Sequence, residues 1–326
     1  MLQVFRSLGG KAENVARKDS SGGRGIVPVD PDSSVHLHAP PNLIFPHADI
    51  EFVDGRLRIK DTAATGKAER TFFDNYYSDL SWGGGGRAEA EAFLHGLDQL
   101  PGDVRAILSD EFGMEQWLAD DGKRVERWFL ESRTIGVNGK PSLVPVLDLV
   151  NHGPTARRYG REDGLIIHGE FAGEVVVQRS NGGPFEAFRR FGIPSPEPVA
   201  FSLPLTCKTG SCEIVIAQHI NFNSTLGSAP VPSFEIETGS VVLSCMMIGN
   251  SRAPRLPRGI FYRVMREAGQ ANAEETFDYI SHQNRLLYLR LLESLEAHEG
   301  GLVPALRKVI RYQLEAMSWC IGTREL

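Results

Sequence analysis

Apolar positions along the chain change their period twice, and the changes divide it into segments. The first twenty residues, MLQVFRSLGGKAENVARKDS, are mostly polar and carry no sustained period, so residues 1–20 are expected to form a flexible arm. GRGIVPVDPDSSVHLHAPPNLIF then alternates short β-prone runs with Pro and Asp-Pro breaks, and IEFVDGRLRI holds a DG turn between two such runs. Residues 21–61 read as a hairpin-rich β region. From Thr62 apolar residues recur at three and four, through TFFDNYYSDL and RAEAEAFLHGLDQL to GKRVERWFL, which predicts helices over 62–130. Short β-type runs return in 131–205 with SLVPVLDLVNH, GLIIHGEF and GEVVVQRS. In 206–326, EIVIAQHI and FEIETGSVVLSCMMI add strands before the pattern turns helical again. The fold class is α+β, a mostly β core with a helical insert and a helical C-terminal part. No repeat is visible at a period of about 20–50 residues.

The C-terminal helices are the clearest elements. Asn272 is placed to cap a helix with Glu275 three residues on, and Phe277, Ile280, Leu287, Leu291 and Leu295 form a stripe before Gly300-Gly301. A second helix carries Leu302, Leu306, Val309, Ile310, Leu314 and Met317 on one face. Such an amphipathic pair is expected to bury its stripes by packing.

Composition narrows the function classes. Thirty-five Lys and Arg against forty-one Asp and Glu give a formal charge of −6, with no basic block to neutralise a row of phosphates, so nucleic acid is not an expected partner. No stretch approaches the ~20 apolar residues of a membrane span, and the N-terminus lacks an apolar signal core, so a cytoplasmic protein with no membrane partner is expected. Of the cysteines, only Cys207 and Cys212 are near one another, as C-x4-C; a disulfide framework or an all-cysteine zinc site is not supported. They read as reduced and structural. The sequence leaves the oligomeric state open.

The richest chemistry lies in 131–193. Arg133 is followed by VPVLDLVNH, which ends in Asn151-His152, then by a GE-containing strand and a segment ending RRFGI; far upstream stands Gly23-Arg24-Gly25. This pattern resembles the SET domain, specifically the branch typified by the Rubisco large-subunit lysine methyltransferase. There a helical insert splits the SET domain and a helical substrate-binding domain follows. The resemblance extends over the layout of about residues 20–326 and is sharp over 131–193. It implies a knotted C-terminal SET segment and S-adenosyl-L-methionine as cofactor. It also implies transfer of a methyl group to nitrogen, most simply a protein lysine side chain, with a protein or a small molecule as acceptor. By position, Asn151 would bind the cofactor's amino-acid end and His152 shape its adenine pocket, while Gly23, Arg24 and Gly25 would supply a close turn. Arg133 matches a family cofactor position, and it and Asp148 equally read as structural ion or capping residues.

One departure concerns catalysis. The family's GE strand usually ends in a tyrosine, and here VVVQRSNGG has Gln178, Arg179 and Ser180; the second usual tyrosine, before Gly-Phe, is Phe191. Those phenols position the acceptor nitrogen and help it lose its proton, so Phe191, Ser180 and Tyr159 are the acceptor-side candidates, Tyr159 as a replacement phenol. The alternative is a SET-like protein with changed or lost catalysis. A histidine-methylating branch also lacks the second tyrosine but keeps the first. His36, His38 and His47 suggest a metal only weakly, since no acidic or cysteine partner has suitable spacing, and no metal is expected. Gly83 to Gly86 lacks the Gly-Lys-Ser/Thr of a phosphate loop and reads as a flexible linker.

Overall fold

The computed structural model describes all residues except 21, 22, 120, 179–181, 211, 218–221, 227, 228, 238 and 320–326. In chain order, α1 (Leu2–Ser7) and the strands β1 (Lys11–Glu13), β2 (Val15–Ser20), β3 (Gly23–Pro28), β4 (Val35–Ala39), β5 (Phe45–Pro46), β6 (Ile50–Val53) and β7 (Arg56–Ile59) come first. Helices α2 (Lys67–Asp79), α3 (Arg87–Asp98), α4 (Gly102–Asp110), α5 (Glu115–Leu118) and α6 (Arg124–Arg133) follow. Then come β8 (Ile135–Val137), β9 (Lys140–Leu143), β10 (Asn151–His152), β11 (Leu165–Gly169), β12 (Val176–Val177) and α7 (Pro184–Phe191). Strands β13 (Val199–Phe201), β14 (Leu205–Thr209), β15 (Cys212–Ile216), β16 (Phe222–Leu226), β17 (Ala229–Pro232), β18 (Phe234–Glu237), β19 (Ser240–Leu243) and β20 (Met247–Asn250) precede α8 (Leu256–Glu267), α9 (Ala273–Glu296) and α10 (Val303–Ser318). By contacts the chain forms two units, one of residues 1–93 with 121–180 and one of 94–120 with 181–326. The helical stretch 62–130 is therefore divided between them.

In the first unit several short sheets replace one large one. The order β1-β4-β11 makes one, and β5-β9-β8 another, while β2-β3, β6-β7 and β10-β12 are pairs. Strand β4 shows why alternation in VHLHA was legible: Val35, Leu37 and Ala39 are fully buried while His36 and His38 are half-exposed or hydrogen-bonded at the edge of water. The expected flexible arm is a correction. Phe5 of α1 is fully buried and packs its ring 6.2 Å from that of Phe72, and Ala12 of β1 pairs with Leu37. Both contacts join residues distant in sequence, so no local period announced them.

In the second unit β14, β15, β19 and β18 form a four-stranded sheet and the helices α8–α10 follow. Phe277, Ile280, Leu291 and Leu295 of α9 are fully buried as the stripe requires, with Tyr288 in the place of the half-buried Leu287. Each such burial contributes about 1.5–3 kcal/mol. Asn284 of α9 ties the helix to the strand region: its Oδ1 accepts the Leu203 N–H at 2.7 Å, and its Nδ2 donates to Ser202 Oγ at 2.8 Å and to the Ile280 carbonyl at 2.9 Å. Asn272 precedes α9 without a side-chain cap, its carbonyl instead accepting the Thr276 hydroxyl at 2.6 Å. The helix ends at Glu296, ahead of the left-handed Gly300 and Gly301. On α10, Leu306, Val309, Ile310 and Met317 are buried. Cys207, Cys212 and Cys245 are buried thiols, and Cys320 lies outside the described residues. Burial pushes the Cys245 thiol up to about 12.

Candidate cofactor site

The site is assembled in the first unit by the segment 142–152. Residues 142–150 are buried without a break, which is why SLVPVLDLV is mostly apolar and does not alternate, with Ser142 and Asp148 as its polar members. Within it Val146 adopts φ 74° and ψ −48°, a conformation β-branched residues rarely take and one that costs about 1–3 kcal/mol. Neighbouring backbone bonds hold it there, Asp148 N–H to the Val144 carbonyl at 3.0 Å and Leu149 N–H to that of Val146 at 3.3 Å. The turn aims Asp148 inward and delivers Asn151 and His152 to β10.

Asp148 is fully buried and is charged with anchoring rather than chemistry. It accepts the Tyr76 hydroxyl and, at 2.9 Å, that of Ser81. Burial, then the Asp148 carboxylate, pushes the Tyr76 and Tyr77 hydroxyls well above the ordinary phenol range, so Tyr76 stays a neutral donor. Arg133 donates to the Asp148 carbonyl at 3.0 Å and to Glu89 at 2.9 Å. The Arg24 guanidinium forks onto the same Glu89 at 3.2 and 2.8 Å and bonds the carbonyls of Leu80, Ser81 and Gly84 at 3.0, 2.7 and 3.0 Å. Both arginines thus have structural partners, and it is the backbone carbonyl of Arg24 that faces Asn151. These bonds also correct the reading of Gly83–Gly86 as a flexible linker. The glycines form a tight turn in which a Cβ on Gly83 would sit 1.7 Å from the Ser78 carbonyl oxygen, and Gly85 takes φ 114°.

Gly23, Arg24 and Gly25 were expected at a close turn; the structure runs them in strand β3, paired with Ser20, Asp19 and Lys18 of β2. Gly25 is required by close approach: a Cβ there would lie 2.1 Å from Glu174 Oε1 and 3.2 Å from Asn151 Nδ2. Asn151 donates from Nδ2 to the Arg24 carbonyl at 2.9 Å and to Glu174 Oε1 at 2.5 Å. Strand β10 pairs in parallel with β12, Asn151 opposite Val176 and half-buried His152 opposite Val177, and Val175 N–H reaches the Ile26 carbonyl at 2.8 Å. Gly25, Asn151 and Glu174 therefore meet in one unit, with His152 next to Asn151 on β10. Glu174 was not singled out from sequence; its signal was the Gly173-Glu174 pair just ahead of β12.

The acceptor-side candidates belong to different units. Tyr159 is half-buried on a loop whose Arg157 carbonyl accepts the Gln178 N–H at 3.0 Å, just before the segment containing Ser180, which lies outside the described residues. Phe191 ends α7 in the second unit, where Gly192 caps the helix at φ 70° and the Arg190 guanidinium lies 5.2 Å from its ring centre. Among the described residues no group of three or more His, Cys, Asp or Glu is placed to hold a metal. His38 bonds the Asp163 carbonyl at 2.8 Å, His47 the Thr134 hydroxyl at 2.7 Å, and His36 stacks edge-on with His168 at 5.5 Å. A cleft of about 660 Å³ runs along α2, lined by Met1, Val4, Phe72, Tyr76 and Leu80 among others; neither Gly25 nor Asn151 lines it.

No family model matches the chain, and no curated protein matches it. Among solved structures it is similar to the SET domain of LSMT bound to lysine and AdoHcy, over 97% of this chain and 88% of that one. The identity is 12% and the TM-score 0.41, too low to carry residue roles across. No helix among the described residues is long and apolar enough to cross a membrane.

Proposed function

We propose that the chain is a SET-type S-adenosylmethionine-dependent N-methyltransferase acting on a protein lysine side chain. One observation carries the reading. Arg24 and Asn151 stand 127 residues apart, in the two stretches that carry the sequence resemblance, and they are hydrogen-bonded beside a glycine whose missing Cβ lets the Glu174 carboxylate come close. That combination fits the cofactor, which needs close backbone approach and a side-chain amide. When bound, it supplies an electrophilic methyl group on a sulfonium centre. Gly25 admits its approach, Asn151 holds its amino-acid end and His152 lines its adenine side.

Tyr159, Ser180 and Phe191 are the residues proposed for the acceptor. With neither usual tyrosine in place, orientation of the nitrogen depends on proximity, and each tenfold loss of rate corresponds to about 1.4 kcal/mol of transition-state stabilisation. Slow methylation of generic lysine peptides is expected. The same absence at Gln178–Ser180 and Phe191 favours a second reading, a SET-like protein with changed or lost catalysis that binds cofactor or a partner, or acts on a small molecule. A radiolabelled-methyl assay of the wild type, Phe191→Tyr and Ser180→Tyr separates them. Label on lysine, raised by either tyrosine, supports the first; robust wild-type transfer that neither change improves means these residues do not line the acceptor site.

A further inference from the structure

The carboxylate of Glu174 is placed where the anchoring network does not explain it. It is half-buried, it bonds the Asn151 amide at 2.5 Å, and its Oε1 occupies the space that only a glycine at 25 leaves open. An ionised carboxylate offers about four lone-pair positions on two oxygens, and one is used by Asn151. The guanidinium groups of Arg24 and Arg133 are turned to Glu89 and to backbone carbonyls. A negative group beside Asn151 with accepting capacity in hand is suited to a cation that brings N–H donors.

We propose that Glu174 recognises the α-ammonium group at the amino-acid end of the cofactor. The proposal rests on the cofactor reading of this site and adds the residue that reads charge there. The ammonium group has three N–H donors for a carboxylate, whereas the sulfonium has none, so the ammonium is the group a directional acceptor selects. In the protein alone Glu174 bridges to Asn151; with the ligand bound its remaining lone pairs accept from the amine, and Asn151 keeps its bond to the Arg24 carbonyl.

Glu174→Gln tests this, because the amide oxygen still accepts from Asn151 while the charge is gone. Calorimetric titrations would compare S-adenosylmethionine, S-adenosylhomocysteine and an S-adenosylhomocysteine analogue lacking the α-amino group, on wild type and variant, with thermal unfolding to confirm the fold. The expected result is a weakening of about ten- to a hundredfold for both amine-bearing ligands, and none for the deaminated analogue. Equal weakening of all three would reduce Glu174 to a strap between β3 and β10, and unchanged affinities would remove it from the site. Weakening of S-adenosylmethionine alone would shift recognition to the sulfonium and overturn the proposal. Failure of the wild type to bind any of them would instead overturn the cofactor reading, and this inference with it.

Discussion

Replacing Gly25 by alanine probes the site at its narrowest point. The new methyl would stand 2.1 Å from Glu174 Oε1 and 3.2 Å from Asn151 Nδ2, and the first distance cannot be sustained. Glu174 is the far end of a flexible side chain, so it moves and the backbone does not. Its movement breaks the bond to Asn151, a charge-assisted hydrogen bond contributing about 1.5–3 kcal/mol. Alanine recovers about 0.4–1 kcal/mol by restricting the unfolded chain, leaving a net loss of about 0.5–2.6 kcal/mol. At about 2–4 °C per kcal/mol for a unit of this size, unfolding should fall by about 1–10 °C. The methyl also drives the Glu174 carboxylate from its place beside Asn151, so the stabilisation that cofactor confers on the wild type, about 2.7 kcal/mol at a hundredfold excess over Kd, should fall. Thermal unfolding with and without S-adenosylmethionine reads both effects. In a Glu174→Ala background the destabilising part should largely disappear, since the clash partner is gone. A Gly25→Ala protein that keeps wild-type stability and a full cofactor-induced shift would refute both the packing argument and the location of the site.

Tyr76→Phe should cost about 1.5–3 kcal/mol in urea unfolding, because fully buried Asp148 loses a hydroxyl donor; an unchanged midpoint would show that this bond contributes nothing to stability. Phe5→Ala removes a fully buried ring and should cost about 3–5 kcal/mol of local stability, seen as faster tryptic cleavage within residues 1–20, whereas an arm without packing would be cut at an unchanged rate.

What could be read ahead of the structure divides along physical lines. Helices α9 and α10 were legible because each buries one continuous stripe, and a period of 3.6 survives without knowledge of the partner surface. The VPVLDLVNH segment stood out for a different reason, the match of its Asp148 and Asn151-His152 spacing to a family pattern. Phe5 and the Gly83–Gly86 turn were misread because their order comes from partners far along the chain, Phe72 for the ring and the Arg24 guanidinium for the Gly84 carbonyl. A polar or glycine-rich composition signals freedom only where nothing distant claims it. Glu174 and the close approach at Gly25 were hidden for a related reason. A glycine's meaning lies in what would collide with its absent side chain, and here that is a carboxylate some 149 positions on. The split of 62–130 between two units was equally invisible, since helices of either unit share one periodicity.

The most direct test of the account is a calorimetric titration of S-adenosylmethionine into the wild-type chain and into Asn151→Ala. The substitution removes the amide that bonds the Arg24 carbonyl and Glu174 and that is assigned to the cofactor's amino-acid end. Binding at one site per chain is expected for the wild type, weakened about five- to a hundredfold in the variant by the ~1–3 kcal/mol cost of leaving polar groups unpaired. No heat of binding to the wild type, or equal affinities for both proteins, would contradict the claim that Gly25 and Asn151 form a cofactor site.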